Sequence, residues 1–119
     1  MSENNTEIRT SRKPILEINE ADFELEVLKS NQPVLVNFRA VWSQPCRILE
    51  PVLDEVAAAS ANGVKMVKVN VDDNPDLGMR YEIQSIPTLL FFINGNVGAR
   101  IVGTASKEAI LSKLHSLTQ

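Results

Sequence analysis

Residues 34–46 read VLVNFRAVWSQPC. The first seven, Val34 to Ala40, are apolar and rich in β-formers, and a run this short reads as a buried central strand. It leads directly into Trp42-Ser43-Gln44-Pro45-Cys46. Behind this turn the spacing predicts a long helix from about Ser43 to Ala61, with Ile48, Leu49, Val52, Leu53 and Val56 as its apolar side. Ser43 suits the N-cap, because its hydroxyl can accept from one of the unpaired amides of the first turn. Pro51 falls inside the helix, where it is expected to produce a kink. Asn62-Gly63 is a stop signal.

Towards the N-terminus, Pro14 to Ile18 reads as a short first strand. Asn19 caps a helix near 20–30, with Asp22 near its start and Phe23, Val27 and Leu28 at helical spacing. Asn31-Gln32-Pro33 ends it. Towards the C-terminus, Lys65 to Val71 alternates as a strand. Asp72-Asp73-Asn74-Pro75 marks a turn into a short helix near 75–81, and capping and the helix dipole account for the two aspartates better than a metal does. Thr88 to Ile93 is another buried strand, and Asn94-Gly95-Asn96 is a hairpin signal leading into Val97 to Val102. Ser106 caps a last helix with Ile110, Leu111, Leu114 and Leu117 on its core face. The order β-α-β-α-β-α-β-β-α implies an α/β sheet with helices on both faces. Residues 1–13 are polar and read as a flexible tail, which leaves 14–119 as one domain.

Composition narrows the function. A chain of 119 residues suits one domain, and a net charge of -3 argues against nucleic-acid partners. No apolar run approaches the roughly 20 residues of a membrane span, and the N-terminus lacks a secretory signal's apolar centre. No membrane partner is therefore expected, and the expected location is cytoplasmic. There is one cysteine, Cys46, and one histidine, His115. An internal disulfide cannot form, and four-cysteine zinc sites and iron–sulfur cages are excluded. No metal or other cofactor is expected.

Taken together, the strand VLVNFRA, the W-x-x-P-C turn, Pro51, Lys68 in VKVNVD, Ile86-Pro87-Thr88, the Asn94-Gly95 hairpin and Val102-Gly103 occur in the order and spacing of the thioredoxin family. The chain resembles that family over about residues 14–118. The resemblance implies a thioredoxin fold, a central mixed β-sheet flanked by helices. It also implies a cis peptide at Ile86-Pro87 whose edge pairs with an extended peptide. In the family a first thiol, exposed at the helix N-terminus, attacks a substrate disulfide, and a second thiol one turn on resolves the intermediate.

Mapped onto this chain, the nucleophile position is Ser43 and the resolving position is Cys46. An alcohol forms no disulfide, and no histidine in this segment could activate it. Asn37 stands where the family has a buried aspartate that exchanges a proton, and Lys68 stands beside it without that ionic partner. Arg39 replaces an aromatic residue, with solvated surface as its expected setting, and Gln44 replaces a small glycine. Cys46 reads either as a small buried residue or as a helix-end thiol open to mixed disulfides.

The docking groove is expected to survive these changes. The resemblance assigns it to Trp42, Gln44, Pro45, Ile86, Pro87, Val102 and Gly103, with a protein or extended peptide as partner. The expected function is a binding module with an incomplete SxxC centre and little or no reductase activity, as a monomer or weak dimer. The alternative is a thiol–disulfide oxidoreductase whose first cysteine has been replaced by Ser43, through engineering or divergence.

Overall fold

The structure, a computed structural model, describes residues 15–60 and 63–118. The tail assigned to 1–13 and the Asn62 part of the stop signal lie outside these residues. The elements run β1 (Leu16–Glu17), α1 (Glu20–Phe23), a π-helical segment (Glu24–Leu28), β2 (Val34–Arg39), α2 (Gln44–Ala59), β3 (Lys65–Asn70), α3 (Pro75–Arg80), β4 (Thr88–Ile93), β5 (Asn96–Val102) and α4 (Lys107–Leu117). The strand order is β1-β3-β2-β4-β5. β3 pairs parallel with β1 and β2, whereas β4 pairs antiparallel with β2 and β5, so the sheet is mixed.

β2 is central and buried at every position. Its alternation divides the core between two faces. Val34, Val36 and Phe38 join Phe23, Val27, Leu77 and Phe92 on one side. Leu35 joins Leu49, Leu53, Val56, Phe91 and Ile110 on the other, where α2 and α4 pack. Each such side chain contributes about 1.5–3 kcal/mol by leaving water. Asn37 and Arg39 follow Leu35 at the two-residue period, which turns them towards the α2 side of the sheet.

Three expectations about the elements and their packing need correction here. The helix expected near 20–30 is α-helical only to Phe23. It then widens, with the Lys29 amide donating to the Glu24 carbonyl at 2.9 Å, five residues back. Ile48 is not on the core side of α2 but is 57% exposed. The buried stripe is instead Cys46, Leu49, Leu53 and Val56. The first strand pairs over two residues only. At the β4–β5 hairpin, Asn94 and Gly95 both have positive φ, 52° and 81°, as a two-residue turn of this hand requires. A Cβ on Gly95 would lie 2.8 Å from the Leu28 carbonyl oxygen, so close backbone approach also calls for glycine there.

Candidate functional site

Strand register gathers the site. Phe38 is opposite Thr88 and Arg39 opposite Asn70, while Thr88 is also opposite Val102. The carboxyl end of β2, the residues just before β4, the last residue of β5 and the loop after β3 therefore meet at one end of the sheet. Trp42, Ser43, Gln44 and Pro45, from the β2–α2 turn, come to the same end as Ile86, Pro87, Val102 and Gly103. One layer deeper, Asn37 is opposite Lys68 across β2 and β3.

Ser43 is the N-cap of α2, with extended backbone (φ -85°, ψ 120°), and its hydroxyl accepts from the Cys46 amide at 3.3 Å. Pro45 follows in the first helical turn, where a missing N–H costs nothing. Ser43 is 4% exposed and Cys46 1%, so the serine oxygen faces the helix that it caps and the sulfur lies beneath the surface. Cys46 is the one cysteine of the chain, and it is unbridged.

Asn37 is buried, and its Oδ1 has no hydrogen-bond partner among the described residues. Lys68 is half-buried and makes no ion pair among the described residues. The carboxylate-and-lysine arrangement expected of the family is thus absent from the floor of this site. Arg39, expected at the solvated surface, is instead buried. Its Nη2 donates to Glu17 Oε1 at 2.8 Å, and Glu50 Oε2 stands 4.0 Å from its Nε. The guanidinium ties β1, β2 and α2 together below the turn. Sequence reading misplaced it because nothing local marks Glu17 as its partner.

At the surface, Trp42 is 65% and Val102 57% exposed, while Ile86 is half-buried. The Ile86–Pro87 peptide bond is cis. The Pro87 carbonyl accepts from the Gly103 amide at 2.8 Å, whereas the N–H and C=O of Ile86 make no hydrogen bond among the described residues. Gly103 has φ 90° and open space where a side chain would stand, so the backbone there can be approached closely. The Trp42 indole Nε1–H donates to Asp72 Oδ2 at 2.7 Å. The sequence reading gave Asp72 to helix capping and missed this contact. The cap of α3 is Asn74, which makes no capping side-chain bond, and the acid in the first turn is Asp76. His115 lies on α4, away from this end of the sheet. Among the described residues no cluster of three potential metal ligands forms, and no helix is long and apolar enough to cross a membrane.

A five-stranded mixed sheet, a serine-capped helix starting at its carboxyl end and a proline edge beside that helix define an α/β domain of the thioredoxin fold. The chain matches the thioredoxin family over residues 14–116 and belongs to it. It is 48% identical to the thioredoxin of Haemophilus influenzae over 96 residues, which cover 81% of this chain and 90% of that one. It is 41% identical to the thioredoxin of Pyropia yezoensis over 101 residues, covering 85% and 94%. To a thioredoxin of Mycobacterium tuberculosis it is 39% identical over 105 residues, covering 88% and 90%.

Proposed function

We propose that this chain is a thioredoxin-family binding module that holds an extended segment of a partner protein along the Trp42–Pro87 edge, with little or no dithiol–disulfide exchange of its own. The observation that carries this reading is sulfur content at the site. Exchange within one molecule needs two thiols, one to attack the substrate disulfide and one to release the mixed disulfide. Here the attacking position is a serine engaged as a helix cap, and the remaining thiol is 1% exposed. Asn37 in place of an acid supports the same reading, because an amide does not relay a proton at neutral pH.

The groove supports the binding half of the proposal. An extended segment laid beside Ile86 satisfies its free N–H and C=O with two backbone hydrogen bonds, as in strand addition. Trp42 and Val102 add exposed apolar surface at the same end of the sheet. The partner is thus a protein or extended peptide, and the binder is a monomer or at most a weak dimer. A cytoplasmic location accords with a solitary thiol kept reduced.

The relatives named thioredoxin favour a second reading, an oxidoreductase scaffold disabled at one position. Two measurements separate the readings. Insulin B chain with its cysteines alkylated offers an extended segment and no disulfide. The unmodified protein binds it saturably, and Val102→Asp weakens that binding. Absence of binding, with disulfide reduction by the unaltered chain, would overturn the module reading.

A further inference from the structure

Next to the Ile86–Pro87 edge, a cavity of about 310 Å³ opens between the chain that precedes β4 and the outer strand β5. Glu82, Gln84, Ser85, Thr88, Arg100 and Val102 line it. Thr88 is opposite Val102 in the sheet. Arg100 stands two residues before Val102 on β5, so both side chains rise from one face of that strand. The cavity thus continues the binding edge from Val102 towards Arg100.

Arg100 is exposed, yet its guanidinium is anchored. Its Nη2 donates to the Tyr81 carbonyl at 2.7 Å, across 19 residues of chain. A planar group held at one corner still offers its other N–H donors, and it has less freedom left to lose on binding. Among the described residues Arg100 makes no ion pair, not even with Glu82 in the same cavity. Arg80 lies with its guanidinium carbon 5.2 Å from the centre of the Tyr81 ring, and it too makes no ion pair among the described residues. Both arginines thus bear on Tyr81, and Glu82 is the one acid among the lining residues named above. The chain as a whole carries a net charge of -3, so its general field does not draw acids. A preference for one has to arise at this contact.

We infer that Arg100 is a specificity-determining residue of the binding edge, taking the carboxylate of an aspartate or glutamate in the bound segment. This rests on the reading of the edge as a segment-binding site. In an extended segment, side chains two residues apart share a face at a spacing of about 6–7 Å, the same step that leads from Val102 to Arg100 along β5. The acid therefore stands two residues from the side chain that packs on Val102. Gln84 and Ser85, both exposed, bring uncharged donors to the same cavity for the second carboxylate oxygen.

The test uses four cysteine-free peptides of glycine, serine and threonine with a central leucine. Two carry glutamate, either two residues before the leucine or two after it, and two carry glutamine in the same places. Each is titrated at low salt into the wild type, Arg100→Gln and Glu82→Gln, following the backbone amide signals of Ile86 and Val102. The readout is the ratio of affinities for glutamate over glutamine at one place, which a merely loosened loop does not move. In the wild type one placement gives a ratio of about three, the scale of one solvent-exposed ion pair. Arg100→Gln brings that ratio to one or below, Glu82→Gln raises it, and high salt removes it.

A wild-type ratio of one or less in both placements overturns the assignment. So does a ratio that survives in Arg100→Gln or in high salt, or that fails to rise in Glu82→Gln. Glutamine peptides that bind as well as their glutamate counterparts sink the role of Arg100 alone and leave the groove standing. If none of the four peptides moves the Ile86 and Val102 signals of the wild type, the groove reading itself fails, and the role of Arg100 with it.

Discussion

Replacing Glu17 with alanine is predicted to destabilise the fold more than replacing Arg39 with methionine, although Arg39 is the more deeply buried partner. The Arg39 side chain is 6% exposed, and the side chains of Glu17 and Glu50 are 46% and 43% exposed. Glu17→Ala removes the acceptor 2.8 Å from Nη2 and leaves the guanidinium out of water, with Glu50 at 4.0 Å as its remaining counter-charge. Breaking a buried pair on its exposed side costs about 3–5 kcal/mol when nothing compensates, and the surviving Glu50 and partial water access reduce this to about 2 kcal/mol. Arg39→Met instead removes the charge that is costly to bury. Both glutamates return to water, and a side chain of similar length fills the site, for about 1 kcal/mol or less. With a urea m-value of about 1–1.5 kcal/mol/M, Glu17→Ala lowers the unfolding midpoint by about 1.5 M. The double variant matches Arg39→Met within about 0.5 kcal/mol, because once the guanidinium is gone Glu17 has little left to lose. A larger loss in Arg39→Met than in Glu17→Ala, or two losses that simply add, would refute the reasoning.

Other outcomes follow from the same structure. Ser43→Ala removes the hydroxyl that accepts from the Cys46 amide and lowers unfolding stability by about 1 kcal/mol in urea titration. Gly78→Ala, inside α3 with open space where the methyl goes, raises the urea midpoint by an amount equivalent to about 0.5–1 kcal/mol. Gly95→Ala, with φ 81° and a backbone oxygen 2.8 Å from the new methyl, lowers it by more than about 1 kcal/mol. Burial, partly opposed by the positive charge of Arg80, raises the pKa of the Tyr81 phenol above its usual value of 10.0. The folded state therefore keeps this proton longer than the unfolded chain, and the stabilisation is complete below about pH 10 and lost as pH rises through the folded value. Denaturant titrations on either side of pH 10 detect this as a decline in stability that is smaller in Tyr81→Phe.

What could be read from the sequence was local, and what could not depended on side chains reaching across the fold. The cap at Ser43, the Asn94-Gly95 turn and the Ser106 cap each follow from a residue and its near neighbours, and all three stand in the structure. The apolar period of β2 located the central strand, because a strand buried on both faces needs apolar side chains in both directions. Arg39 broke that pattern, and its partner Glu17 lies 22 residues away on another strand, so no local rule could foresee its burial. Asp72 was given the role its neighbourhood suggests, at the start of a helix. The register of β2 against β3 instead sets it within reach of Trp42. Ile48 satisfied the helical period, yet it lies at the margin of the stripe that α2 turns to the sheet.

The central claim concerns catalysis, and turnover tests it most directly. Purified wild-type protein, as a monomer and with an electron donor that contains no thiol, is mixed with intact insulin, and reduction of the interchain disulfides is followed over time. The expected record shows no more reduction than the donor alone produces. Repeated rounds of disulfide reduction by each protein molecule would contradict it.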